Sequence, residues 1–307
     1  MRGATRIAGE GRPHDTDTPD VHTSSAGYRQ RFEGGGRLAL VRQMDVVTQL
    51  LRAIGGRGVP LSVLDVGGGH AQLAGLLCGA GHRVVVHGST PECFTWIAPL
   101  AQARPDRIAP CVSRLTALPF ADGTFDLVCG IRLMAHVTDW RALLAEMTRV
   151  TRRYLLVDYP LYAGVQRFSG RFFALKHKVE SNTRPFFLYR REEVAAELST
   201  LGVHTVRAVG QLVLPLALHR ALRAPRASLR IEHALERTGL AARIGSPVLL
   251  LGERSDRHPE RSEGSPLQAE IPRCARDDGS ARDDSRSARN DTLDEHDSHH
   301  AAQEIRS

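Results

Sequence analysis

Lysine is almost missing from this 307-residue sequence: Lys176 and Lys178 are the only two among 41 basic residues. The formal net charge of +7 therefore rests on arginine, and it is spread unevenly, with −5 over residues 253–307 and +12 over residues 1–252. A basic body suits an anionic substrate, a nucleic acid or a membrane surface, but an arginine-rich coding bias accounts for most of it without any partner. No run of about 18 apolar residues occurs, which excludes a membrane-spanning helix on length. Met1 to Glu10 lacks the apolar core of a signal peptide, so a cytoplasmic protein is expected. Cysteine is sparse too. Cys78, Cys93, Cys111, Cys129 and Cys274 are odd in number and include no C-x-x-C pair. That pattern points to reduced, mostly buried thiols, and to neither a disulfide framework nor a zinc site. His296, His299 and His300 stand in a polar tail and read as a chance cluster, so no metal is expected.

The composition that remains, 42% hydrophobic, is ordinary for one globular core. Residues 1–34 mix Gly, Pro, Thr, Asp and Ser without an apolar period and are expected to be a disordered extension. From Leu38 apolar residues recur at helical spacing through Val41, Met44, Val47, Leu50, Leu51 and Ile54, and Gly55-Gly56 ends the helix. The folded domain is expected over residues 35–253. The tail, residues 254–307, repeats phrases such as S-A-R-D-D at Ser280 and S-A-R-N-D at Ser287, has no hydrophobic period, and is expected to be disordered.

The chain is organised around Leu61 to Gln72, L-S-V-L-D-V-G-G-G-H-A-Q. A short apolar run ends in an acid, three glycines follow, and Leu73 to Gly81 reads as helix: a strand, tight turn and helix. Gly67, Gly68 and Gly69 let the backbone turn sharply and approach a ligand without a Cβ in between. Asp65 departs from a dinucleotide fingerprint, because an acid there repels a pyrophosphate and suits a positively charged ligand. Downstream, His82 to His87 reads as a second strand, with Pro91 opening a helix, and Ile108 to Ser113 as a third. Phe125 to Gly130 reads as a buried fourth strand after the Asp122-Gly123 turn. Thr138 is the expected N-cap of a helix whose buried stripe is Leu143, Leu144, Met147 and Val150, and Arg153 to Pro160 is the fifth strand. Residues 161–190 form a long, aromatic and basic lid-like loop. Glu192 to Leu201 reads as helix, Val203 to Val209 and Pro247 to Leu251 as strands. Between those strands residues 214–240 form a mainly helical insertion that Pro225 should kink or split.

The acid followed by spaced glycines resembles motif I of class I S-adenosylmethionine-dependent methyltransferases, with Ala71 in place of the third glycine. The phrase L-P-F-A-D-G-T-F-D-L-V from Leu118 to Val128 is similar to the signature of small-molecule methyltransferases related to quinone-biosynthetic enzymes. The resemblance covers Leu61 to Pro160 in detail. It implies an α/β, Rossmann-like, seven-stranded mixed sheet, mostly parallel with the last strand antiparallel, and helices on both faces. It also implies S-adenosyl-L-methionine as cofactor, with Asp65 near its ammonium group and Gly67, Gly68 and Gly69 along its methionine and ribose portions. Two acids usual in the family are replaced. Gly88, followed by Ser89, stands where the ribose hydroxyls are bound, and Arg114, beside Ser113 and Leu115, stands where the adenine amino group is met. Ile131 and Arg132, after the fourth strand, complete the implied cofactor site.

Methyl transfer needs nucleophile, carbon and sulfur held in line, and an oxygen or carbon nucleophile gains from a base. His136, just beyond the fourth strand at the edge where such sheets bind ligands, is the candidate base, and Tyr159, at the end of the fifth strand, the candidate for orienting substrate. His177, Arg184 and Tyr189 are further candidates for substrate contact. Aromatic residues in the lid favour an apolar or aromatic small-molecule acceptor. Nucleic acid is not expected, peripheral membrane contact stays open for the basic stretch at residues 214–240, and oligomeric state is unknown. The alternatives are a cofactor-binding protein without catalysis, motivated by Gly88 and Arg114, and a dinucleotide-dependent oxidoreductase, disfavoured by Asp65.

Overall fold

The computed structural model describes residues 5–6, 37–54, 59–69, 72–162, 186–214, 218–219 and 224–255. Its centre is a seven-stranded sheet whose strands alternate hydrophobic side chains onto two covered faces, as buried parallel strands must. In chain order the strands of this sheet are β2 (Ser62–Val66), β3 (Arg83–Gly88), β4 (Ile108–Val112), β5 (Phe125–Gly130), β6 (Thr151–Tyr159), β8 (Val203–Leu212) and β9 (Ser246–Arg254). Across the sheet they run β4-β3-β2-β5-β6-β9-β8. All neighbours up to β6 are parallel, and β9 is antiparallel to both β6 and β8. This is the expected mixed sheet. Two short strands, β1 (Thr5–Arg6) and β7 (Phe187–Leu188), pair antiparallel to each other.

One face carries Leu64, Val66, Val128, Leu155, Val157 and Tyr159 against helix α4 (Trp140–Val150), whose Leu143, Leu144, Met147 and Val150 are all fully buried as the spacing requires. Each such side chain contributes about 1.5–3 kcal/mol of burial. The other face carries Val63, Leu127, Cys129 and Leu156 against Val46, Val47 and Leu50 of α1 (Arg37–Ile54), the helix that the apolar period locates.

Two local expectations are corrected. The N-cap of α4 is Asp139, whose carboxylate accepts from the Ala142 N–H at 3.1 Å, and not Thr138. The side chain three residues before the free N–H reaches it. After Pro91 there is no long helix: a 3-10 turn, Pro91–Phe94, leads to the short helix α3 (Ala98–Ala103). The helical stretch is broken at Pro225 as expected: residues 218–219 are helical, Ala224 is not, and α6 (Pro225–Arg237) begins at the proline, whose missing N–H costs nothing in a first turn. Cys78, Cys93 and Cys129 are buried free thiols.

The insertion is tied to the sheet by buried polar contacts. Glu232 of α6 accepts from the N–H groups of Val213 and Leu214 and meets His219 Nε2 at 2.8 Å. Arg42 of α1 pairs with Glu236. Arg226 and Arg230 are exposed. Among the described residues no helix is long and apolar enough to cross a membrane, and no cluster of metal-binding side chains occurs. His177 and Arg184, most of residues 161–190, and nearly all of residues 1–34 and 254–307 lie outside the described residues, so the domain limits stay an expectation.

Candidate cofactor and acceptor site

Because β2 to β6 are parallel, the residues that follow them share one edge of the sheet. That edge brings together Asp65 and the glycine loop, Gly88 and Ser89, Ser113 to Leu115, Ile131 and Arg132, and Tyr159. Strands β2 and β5 are direct neighbours, with Asp65 opposite Cys129, so the loop bearing His136 stands beside the glycine loop.

Asp65 is 2% exposed, and its Oδ2 has no hydrogen-bond partner. Burial alone lifts its pKa to about 7, since a low-dielectric surrounding penalises the carboxylate. In this state the carboxyl is half-ionised near neutral pH, and a cation brought beside it favours the ionised form. The loop after it is tight. Gly67 has φ +70°, the left-handed region that favours glycine. A Cβ on Gly68 would lie 2.1 Å from Asp65 Oδ2, and one on Gly69 would lie 2.3 Å from the Cys93 carbonyl oxygen. The need for glycine thus comes first from the protein's own close packing, in addition to any ligand's approach.

At the end of β3 the structure explains a departure seen in the sequence. A Cβ on Gly88 would lie 2.8 Å from Cys93 Cβ and 3.0 Å from the Phe94 ring. The 3-10 turn fills the space that a side chain at this position would use. Ser89 and Thr90 each approach the Cys93 thiol, at 3.9 and 3.7 Å, and the Glu92 carboxylate reaches back to Thr90, which lowers its pKa. The Ser113 N–H donates to the Gly88 carbonyl at 3.2 Å, while the Leu115 side chain is fully buried in the core beneath. Arg114 is bridged to Ala117 in a tight loop.

The edge between β5 and β6 holds an arrangement that sequence reading missed. Arg132 has φ +60°, unusual for a residue with a side chain. Its N–H donates to Asp158 Oδ1 at 2.5 Å, and its guanidinium reaches Gln72 Oε1, on the far side of the glycine loop, at 3.1 Å. Asp158 also accepts from Gln43 Nε2 of α1 at 2.9 Å. Burial lifts the Asp158 carboxyl to about 6 despite these donors. An acid within the apolar strand Y-L-L-V-D-Y was the available signal. By strand alternation Asp65 and Asp158 share the α1 face.

Tyr159 sits on the opposite face, 1% exposed, its ring 6.1 Å from that of Tyr189. Burial first, and Glu192 against the opposing Arg191, push its hydroxyl up to about 12. A phenol in that state keeps its proton. The Tyr189 hydroxyl donates to the Met134 carbonyl at 2.7 Å and so braces the 3-10 turn Met134–His136. His136 is half-buried in that turn, edge-on to Phe186 with ring centroids 5.8 Å apart.

Residues 63–153 match the model of a methyltransferase domain. An uncharacterized methyltransferase of Mycolicibacterium gilvum is 35% identical over 136 residues, 43% of this chain and 51% of the relative. The chain thus spans about half the length of the curated relative it matches. Magnesium protoporphyrin IX methyltransferase from Synechocystis, solved with S-adenosylhomocysteine, superposes with a TM-score of 0.54 at 16% identity, covering 76% of this chain and 97% of that one. The 1,6-didemethyltoxoflavin-N1-methyltransferase of Burkholderia thailandensis, solved with 1,6-didemethyltoxoflavin and S-adenosylhomocysteine, gives 0.51 at 17%, covering 77% and 85%. These likenesses show the fold. The cofactor of the family is S-adenosyl-L-methionine, and a buried carboxylate whose Oδ2 has no partner, beside a glycine loop, fits its cationic end.

Proposed function

We propose that this methyltransferase domain moves the methyl group of S-adenosyl-L-methionine to an oxygen or carbon nucleophile of a small molecule. The observation that carries the reading is Asp65, a buried carboxylate whose Oδ2 lacks a partner, beside Gly67 to Gly69 at the ligand-binding edge. When bound, the cofactor supplies an activated methyl group on a sulfonium. The chain's part is then positioning and proton transfer. Asp65 balances the ammonium group, the glycine loop and the Gln72–Arg132 contact border the methionine portion, and Ser89, Glu92 and the backbone at Ser113 and Arg114 border the nucleoside. His136 takes the proton of the nucleophile, and the Tyr189–Met134 bond fixes the turn that presents it. Tyr159 shapes the wall behind the acceptor. The two solved relatives are named for ring-system substrates, which agrees with an apolar or aromatic acceptor.

The experiment is calorimetry of the full chain with S-adenosylmethionine and with NAD. Binding of the first alone supports the reading, and binding of NAD alone reverses it. A second reading, cofactor binding without catalysis, is favoured by the filled space at Gly88 and by Arg114 in place of an acid. Tight binding of S-adenosylhomocysteine, together with no methyl transfer to any of a broad acceptor panel, would select it.

A further inference from the structure

Arg191 is the first residue of helix α5 (Arg191–Thr200) and follows directly on Tyr189 and Arg190. Its Nε and Nη2 atoms are buried and have no hydrogen-bond partner. These two nitrogens form one side of the guanidinium, where their N–H groups lie parallel and match the two oxygens of a carboxylate or phosphate. Leaving buried donors on a charged group unpaired is expensive, because their lost hydration is not replaced. The nearby acids do not relieve it: Glu193 pairs with Arg141 at 3.5 Å and Glu192 is exposed. The place matters as much as the vacancy of the fork. The charge of Arg191 acts on the Tyr159 hydroxyl at the end of β6, and Tyr189, two residues before it, is bonded to the turn that carries His136. Arg191 therefore lies on the acceptor side of the edge, on the sheet face opposite Asp65 and Asp158.

We infer that the Nε–Nη2 fork of Arg191 binds an anionic group, a carboxylate or a phosphate, on the methyl acceptor. This rests on the proposed methyl transfer for the word acceptor, but the anion site is a property of the chain by itself. The acceptor class it selects is an apolar or aromatic acid, anchored at Arg191 by its anion so that its nucleophile faces the His136 turn.

The probes are benzoate, phenyl phosphate and benzamide, titrated into the full chain with and without S-adenosylhomocysteine. At least one of the two anions should bind and raise Tm, and benzamide should do neither. Preference for benzoate identifies a carboxylate, and preference for phenyl phosphate a phosphate ester. R191Q should weaken the anion at least about tenfold, the size expected of hydrogen bonds to a charged group. R191K keeps a point charge without the fork and should fall between the two. Both variants should bind S-adenosylhomocysteine like the parent. A distinguishing readout is ligand-free stability. Removing an unsatisfied buried charge should leave Tm unchanged or raise it, whereas a structural arginine would lower it. If R191Q does not fold, R191K decides on the same anion titration. Equal binding of benzamide and benzoate, unchanged anion affinity in the variants, or no binding of either anion overturns the inference. Failure of S-adenosylhomocysteine to bind overturns the cofactor reading instead, and the cofactor-free titration still judges Arg191.

Discussion

The raised pKa of Asp65 makes cofactor affinity depend on pH in a direction that can be worked out. With its carboxyl at about 7 in the free protein, the group is mostly protonated at pH 5 and mostly ionised at pH 8. The cofactor's ammonium group prefers the carboxylate, so below about pH 7 binding must first drive off a proton. Two pH units below the pKa only about one molecule in a hundred is ionised, and the apparent Kd should rise by up to about 100-fold between pH 8 and pH 5. The free protein shows the opposite trend in stability. A carboxyl whose folded pKa lies above its ordinary value of 3.8 holds its proton more tightly when folded. Stability is therefore full near pH 4, falls as pH rises through 7, and levels off above. The loss is at most about 4 kcal/mol, and Asp158, lifted to about 6, adds a smaller loss of the same sign. The assay is calorimetry with S-adenosylhomocysteine from pH 5 to 8, paired with urea unfolding of the free and bound protein. Asp65→Asn should flatten the pH dependence of Kd and weaken binding at pH 8 by about tenfold or more. An equal pH slope in parent and Asn variant would show that Asp65 does not face the ammonium group.

Other outcomes follow from the same edge. Gly69→Val should destabilise the glycine loop against the Cys93 carbonyl and abolish cofactor binding, with retained circular dichroism showing that the rest of the sheet folds. Gly88→Asp, which puts the family's acid back, should cost about 1–3 kcal/mol in urea unfolding and should not tighten cofactor binding, because Cys93 and Phe94 fill the space. His136→Ala should lower kcat by about 100-fold with an unchanged S-adenosylmethionine Kd once an acceptor is in hand. Turnover at the parent rate would reduce His136 to a wall of the pocket.

The strands were legible where both faces are buried, since runs such as L-S-V-L and F-D-L-V-C-G have few other uses. The stripe of α4 and the period of α1 were legible for the same reason: burial imposes spacing. What was not legible depends on residues far apart in sequence. Gln43 meets Asp158 across 115 positions, and Arg132 meets Gln72 across 60. No local rule marks either pair. Gly88 was visible as a departure, but its cause, a turn folded back over the strand end, required coordinates. Arg191 was passed over as one arginine in a chain full of them, and only the unpartnered state of its fork separates it from the rest.

Asp158 tests whether the edge is organised by its buried acids as acceptors or as charges. Its Oδ1 holds the Arg132 N–H at φ +60°, and its Oδ2 accepts a hydrogen bond from the Gln43 amide N–H, whose own Oε1 has no partner. An asparagine at this position keeps Oδ1 and turns Oδ2 into a donor. Gln43 can answer by rotating its amide, so that its unpartnered oxygen accepts the new N–H. Asp158→Asn should therefore cost little near pH 5. Above pH 6 it should match or exceed the parent in stability, because it no longer buries a charge. Asp158→Ala leaves the Arg132 N–H and the Gln43 amide without acceptors and should lose about 1–3 kcal/mol at every pH. Urea unfolding at pH 5 and pH 8 separates the cases. If the asparagine variant is as unstable as alanine at pH 8, the carboxylate charge is itself needed. The Arg132–Asp158 contact would then act as an ion pair, and its role in setting the backbone of the acceptor loop would have to be abandoned.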